Sequence, residues 1–257
     1  MIHDTAVVDP AADIAPSAEI GPWCLIGPDV RIGPGTRVGA HCVIEGPTTI
    51  GRDNHIAAFV TLGSIPQDKK YQPGEDTRLE IGDHNTIREY CSINRGTELG
   101  GSVTRIGHHN WIMAYCHIAH DCLIGDHNVL ANSTNLAGHV EIGARATLGG
   151  YTGVHQFCRI GDYSFSSIAS IIVKDVPPFV IVDGNTARAR GLNRVGLRRN
   201  GFSEAEMSEL KRIYRTFFRV GLALEEALHN IEQAFPNHSH AQNFVNFVRG
   251  SSRGVVR

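Results

Sequence analysis

An aliphatic residue recurs every six positions through most of this chain, and no other feature restricts its fold so severely. From the start, Ile2, Val8, Ile14, Ile20, Ile26, Ile32, Val38, Ile44, Ile50, Ile56 and Leu62 hold the step without a slip. It is regular again through Ile106, Ile112, Ile118, Ile124, Leu130, Leu136, Ile142, Leu148, Val154 and Ile160. An amphipathic helix needs apolar residues about 3.6 apart and a half-buried strand needs them 2 apart, so a step of six fits neither. Fixed-period repetition marks a solenoid. Each hexad reads as a short strand plus a corner, and three hexads as one turn of about 18 residues, stacked on the next by parallel pairing at roughly 4.8 Å. The predicted product is a prism with three flat faces. Gly21, Gly27, Gly33, Gly39 and Gly51 follow repeat aliphatics, which predicts a sharp turn or a positive φ at those positions.

Two segments break the step. Leu62 to Ile81 spans 19 residues and Ile93 to Ile106 spans 13, so loops are expected at about 63–80 and 94–105. Long loops on a rigid scaffold are where function concentrates. The repeat ends near Ile172, and Pro177-Pro178 stops it, dividing the chain into a coil over 1–178 and a helical domain over 179–257. Ser203-Glu-Ala-Glu206 predicts a capped helix before Leu210, Ile213, Tyr214 and Phe217. A second helix is expected over Leu224 to Ala234, and Ser239-His-Ala-Gln242 predicts another capping box before Phe244, Phe247 and Val248. Nine Lys/Arg against three Glu between Thr186 and Arg219 make a patch suited to an acidic partner or a phosphate.

Composition narrows the class. With 42% hydrophobic and 19% charged residues the chain has enough apolar side chains for a large core. A net charge of −2 argues against nucleic acid as the main partner. The N-terminus lacks a basic segment followed by an apolar run, and no stretch of about 18 apolar residues occurs, so a cytoplasmic protein with no integral membrane segment is expected. Cys24, Cys42, Cys91, Cys116, Cys122 and Cys158 form no C-x-x-C pair and each lies four residues after a repeat aliphatic. Thr36, Val60, Ala146 and Thr152 fill the same slot elsewhere, so it reads as a site for small residues inside the coil, in a reducing compartment. His41, His84, His108, His109 and His127 fall at outward corners and are expected to be plain surface residues.

The hexads are combined with His117-Ile-Ala-His120-Asp121-Cys122, Leu-Ala-Gly138-His139, Val-His155-Gln156-Phe, Asp-Val-Pro-Pro and a basic helical tail. That combination resembles the bacterial UDP-N-acetylglucosamine O-acyltransferases of lipid A synthesis over essentially the whole chain. The resemblance implies a mainly β protein, a left-handed parallel β-helix followed by helices. It also implies a homotrimer with active sites between subunits. The donor would be an R-3-hydroxyacyl thioester of acyl carrier protein and the acceptor a UDP-sugar, with no cofactor and no metal. An acidic carrier protein would suit the basic stretch.

Acyl transfer from a thioester to a sugar hydroxyl needs a base and a donor for the oxyanion. His120 suits the first role, because an imidazole is largely neutral at physiological pH. Asp121, equivalent to the family's dyad carboxylate, would orient it and stabilise the imidazolium. Gly138 lies 18 residues after His120, one turn on, where its backbone N–H can reach the thioester carbonyl. The resemblance assigns substrate contacts to Asp68, Lys70, His117, His139, His155, Gln156, Asn193 and Arg199, with Lys70 and Arg199 natural partners for the diphosphate. It also implies that Ile168, which shares an edge with Asn132 and Gly150, floors the acyl groove.

Asn94 stands where the family commonly has His, and Val195 where an acidic residue is usual. An acceptor with an amine at the sugar 3-position therefore stays open. So do three other readings. One is zinc held by His117, His120 and His139, as in a carbonic anhydrase class on the same coil. Another is a coenzyme A-dependent acetyltransferase, which a donor-swap assay separates. The third is a purely structural β-helix. The following enzyme of the pathway, an N-acyltransferase, carries an extra N-terminal domain, for which a repeat beginning at Ile2 leaves no room.

Overall fold

In a computed structural model covering residues 1–257, successive strands visit three parallel sheets in rotation. The first sheet runs from Val7–Val8 to Ile171–Ile172, the second from Asp13–Ile14 to Arg159–Ile160, and the third begins at Glu19–Ile20. Each repeat aliphatic stacks on its counterpart one turn later, as where Ile118 pairs with Leu136 and Leu136 with Val154. Most strands are only two residues long. Pairing of that length is weak alone, and what holds the coil is burial of the aliphatic column, about 1.5–3 kcal/mol for each side chain.

The corners differ from the sequence expectation. The positive φ falls three residues after the aliphatic, on non-glycine residues such as His41, Phe59, Asp121, His139 and Phe157, all near 60°. The glycines directly after the aliphatic serve close approach instead. A Cβ on Gly33 would lie 2.6 Å from the Gly51 carbonyl carbon, and one on Gly39 would lie 2.7 Å from the Ala58 nitrogen. Left-handed side chains one turn apart stack on one another. His41, Phe59, Tyr90 and Tyr115 form one such ladder, and the exposed His84, His109 and His127 another.

The slot four residues after the aliphatic is lined by buried groups, as expected for the six free cysteines. Thiols of Cys42 and Cys91 each donate to a backbone carbonyl at 3.0 Å. Burial pushes the Cys122 thiol up to about 12. The same slot also holds an asparagine ladder that a small-residue reading overlooks. Asn54 Oδ1 accepts from the Asn85 amide, Asn85 Oδ1 from Asn110, and Asn110 Oδ1 from the Asn128 N–H, at 2.8–3.0 Å. Polar side chains sit inside the coil because each is satisfied by the next turn.

Both loops are shorter than predicted, because their ends pair. Thr61–Ser64 lies beside Ser92–Asn94, and Arg78–Ile81 beside Val103–Ile106. Pro177-Pro178 does not end the sheets either. Val180–Asp183 adds to the third sheet and then pairs antiparallel with Arg188–Leu192.

Four helices follow: α1 (Arg194–Arg199), α2 (Glu204–Phe218), α3 (Leu224–Ala234) and α4 (Ser239–Arg249). The Ser203/Glu206 capping box of α2 is formed. The second box is not. His238 caps α4, its Nδ1 accepting from the Ala241 N–H at 3.3 Å while Nε2 meets Glu209 on α2 at 2.8 Å. Met207, Leu210, Ile213, Phe217 and Phe244 belong to the same continuous core as the coil aliphatics. No helix is long and apolar enough to cross a membrane.

Candidate active site

The sequence candidates separate onto different edges of the prism. The corners between the first and second sheets carry His120, Gly138 and Gln156 in one column, 18 residues apart, with Asp121, His139 and Phe157 in the next. The first loop folds back over this edge. Asp68, Lys70, His120, Gly138, His139 and Gln156 together line a cleft of about 460 Å³. A neighbouring cleft of about 310 Å³ between the two loops shares Asp68, Lys70 and His139 and adds Thr97 and the exposed Leu99.

At its centre His120 Nδ1 and Asp121 Oδ2 are 2.7 Å apart, with the imidazole 14% exposed and the carboxylate fully buried. The left-handed backbone at Asp121 turns the carboxylate inward beside the ring that precedes it. Thr97, from the second loop, donates its N–H to Oδ1 at 2.8 Å and its hydroxyl to Oδ2 at 2.7 Å. Burial alone would raise the Asp121 carboxyl, but the hydrogen bonds from His120 and Thr97 outweigh it and hold the group below the ordinary carboxylate range. It is therefore a carboxylate at neutral pH, and the proton between the two groups sits on Nδ1. In the neutral imidazole Nε2 then carries the lone pair.

Gly138 packs on the same imidazole. A Cβ there would lie 2.6 Å from His120 Cε1 and 2.7 Å from Nε2, so glycine is required for the ring to keep this place. The Gly138 N–H donates to no group within the chain.

His139 stands edge-on to His120 with ring centroids 5.2 Å apart and stacks on Phe157 at 4.3 Å. Burial pushes its imidazole, and that of His117, below the usual range, so both are neutral at pH 7. His117 leaves the first sheet beside this edge, with Nδ1 2.8 Å from the Ser92 hydroxyl. His155 is exposed, its Nδ1 3.2 Å from the Gln156 carbonyl oxygen. The three imidazoles considered for zinc do not form one set. The potential ligand atoms that come within 4.8 Å of one another belong to His120, Asp121 and His139, and the carboxylate among them is already shared by His120 and Thr97.

Three candidates lie elsewhere in the chain. Ile168 is 71% exposed on the edge between the third and first sheets. Arg199 ends α1 and Asn193 caps its start, on the remaining edge, where Arg145 bonds Asn200 at 2.9 Å. Asn193 is buried as the N-cap of α1, accepting from the Gly196 N–H at 3.1 Å and donating to the Tyr163 carbonyl at 2.9 Å. Both ends of its amide thus hold the short helix that ends at Arg199. Thr97 and Phe157, conversely, were not among the sequence candidates. Nothing periodic marks Thr97, which sits in an interruption of the repeat.

Known proteins match both halves of the molecule. The family model described as "Udp N-acetylglucosamine O-acyltransferase; Domain 2" matches residues 175–256, and "Bacterial transferase hexapeptide (six repeats)" matches 29–64 and 103–138. The chain is 54% identical over 256 residues to the acyl-[acyl-carrier-protein]–UDP-N-acetylglucosamine O-acyltransferase of Halorhodospira halophila, covering 100% of this chain and 99% of that protein. It is 52% identical over 204 residues, 79% of each chain, to the protein of the same name from Thiobacillus denitrificans. Among solved structures, the UDP-N-acetylglucosamine O-acyltransferase of Moraxella catarrhalis superposes with a TM-score of 0.97 at 48% identity, covering 100% of this chain and 99% of that one. The Francisella novicida UDP-N-acetylglucosamine acyltransferase gives 0.98 at 40% identity, covering 100% and 94%. With identity of about half over the whole chain, it belongs to the acyl-[acyl-carrier-protein]–UDP-N-acetylglucosamine O-acyltransferase family, enzymes built on a left-handed parallel β-helix with helices at its C-terminal end.

Proposed function

We propose that this chain transfers an R-3-hydroxyacyl group from acyl carrier protein to the 3-hydroxyl of UDP-N-acetylglucosamine, the first step of lipid A biosynthesis. The observation that carries the reading is the His120–Asp121 pair at 2.7 Å with Gly138 against the imidazole, inside the cleft that Asp68 and Lys70 enter from the first loop. His120 Nε2 takes the proton of the acceptor hydroxyl as its oxygen attacks the thioester carbon. Asp121 stabilises the imidazolium, and the Gly138 N–H donates to the developing oxyanion. The C–S bond then breaks, and the imidazolium returns its proton to the departing thiolate. Lys70 meets the diphosphate as a point charge.

The test is an acyl-transfer assay with a panel of 3-hydroxyacyl carrier proteins against UDP-N-acetylglucosamine and its 3-amino analogue. Turnover with the hydroxyl acceptor is expected. Transfer only to the amine, or only from acyl-coenzyme A, would overturn the reading in its acceptor or its donor.

The chain acts as a homotrimer with sites between subunits. Supporting this, the loop-and-dyad wall, the Ile168 edge and α1 occupy three different edges of one prism, so only a neighbouring copy can bring Arg199 or Ile168 to a given His120. Arg199 then reaches the nucleotide diphosphate, with Asn193 positioning it through α1, and Ile168 floors the acyl groove. Shared sites predict complementation. Co-assembly of His120→Ala and Arg199→Ala chains should restore about one site in four by random mixing, above either variant alone at subsaturating UDP-sugar. Activity equal to the mean of the two parents would place both residues in a single chain's site.

A further inference from the structure

We propose that Thr97 is a positioning residue for the acyl transfer, aiming the Asp121 carboxylate so that the His120 proton stays on Nδ1 and Nε2 stays free for the acceptor hydroxyl. This deepens the acyl-transfer reading and rests on it. A carboxylate with a fully buried side chain needs donors on both oxygens, and Asp121 has three: His120 and two from Thr97. A carboxylate bound only to an imidazole can rotate about its χ2 torsion. Bonds to both oxygens from one rigid residue fix that angle.

Thr97 is itself held. Its hydroxyl accepts from the Gly100 N–H at 3.1 Å, so its single proton is directed at Asp121. Gly100 lets the loop approach this closely, because a Cβ there would lie 2.1 Å from the Asp121 carboxylate. The second loop is in turn clipped to the first, the Glu98 N–H donating to Glu75 Oε2 at 2.9 Å. The interruption of the repeat at residues 95–102 thereby supplies what the hexads cannot, a donor reaching over the edge onto the carboxylate of the turn above. It also ties that carboxylate to the loop carrying Asp68 and Lys70.

Thr97→Val keeps the shape and the backbone donor and removes only the hydroxyl. In the enzyme kcat should fall about 10- to 100-fold, up to the lower limit of what proton-transfer catalysis contributes, because the base is misaimed and not removed, while both KM values move less than about twofold. Thr97→Ser should recover most of the rate. The other ionisable groups around the ring, His117, His139, Asp68 and Lys70, are the same in all three proteins. Imidazole ¹⁵N shifts, with His120 assigned by difference against His120→Ala, read the tautomer without turnover. Nδ1–H is expected in the wild type and a mixture in Thr97→Val. An unchanged tautomer and kcat in Thr97→Val, a Thr97→Ser variant no better than valine, or a loss confined to KM would each overturn the proposal. A wild-type protein that transfers no acyl group, with the tautomer still differing between it and Thr97→Val, would overturn the acyl-transfer reading and leave standing only that Thr97 aims the Asp121 carboxylate at His120.

Discussion

Replacing His120 with alanine should lower kcat by about 10²- to 10⁴-fold, or about 3–5 kcal/mol of transition-state stabilisation, with the protein still folded. The side chain lies at a prism edge, outside the aliphatic column that holds the coil together. Its removal takes one of three donors from the buried Asp121, and the two from Thr97 remain. Losing a hydrogen bond to a charged group costs about 1.5–3 kcal/mol, which should lower the melting temperature without abolishing folding. Circular dichroism and the same acyl-transfer assay check both halves. A folded variant retaining more than about a tenth of the wild-type kcat would remove His120 as the base.

Gly138→Ala should be almost as damaging and for a different reason. The new methyl would lie 2.6–2.7 Å from two atoms of the imidazole, a separation no real contact sustains. Of the two, the side chain is the part that can move, so the ring swings off Asp121 and Nε2 leaves the line of attack. The backbone N–H is still present, which separates the position of the base from the supply of an oxyanion donor. We expect kcat to fall about 10²-fold, in line with what a misplacement of about 1 Å costs, with a melting temperature within a few degrees of the wild type. Near-wild-type kcat in a folded Gly138→Ala protein would mean that the imidazole geometry is not what limits the reaction. A variant that fails to fold would instead show that the ring cannot yield and that Gly138 serves the coil.

How much of this was legible beforehand depends on whether register alone could reach it. Counting by six identifies the buried column, and counting by 18 puts Gly138 on His120 and His139 beside Asp121. The contact of the Gly138 position with the His120 ring and the 3.8 Å between His139 Nε2 and Asp121 Oδ2 agree with that count. Counting also marks where the hexads stop, at the two loops. It misreads the corners, because a period states that a tight corner exists but not which residue absorbs the positive φ. Here the left-handed residue is the third after the aliphatic, and the glycines answer to the backbone of the neighbouring turn.

The amino-acid sequence by itself determined the coil, because burying one aliphatic residue in every six is a local demand that each hexad repeats. It determined the dyad as well, since His120 and Asp121 are adjacent on one corner. Only the tertiary structure decided the rest. Thr97 reaches Asp121 across 24 residues and an interruption of the repeat, so no spacing rule predicts it. The asparagine ladder depends on each amide finding a partner in the next turn, a condition of packing and not of composition. Asn193 turns out to be the buried cap of a six-residue helix that carries no strong periodic signal of its own. The allocation of His120, Ile168 and Arg199 to three separate edges follows from how a three-sided coil winds, which puts residues far apart in sequence on one edge and sequence neighbours on different ones.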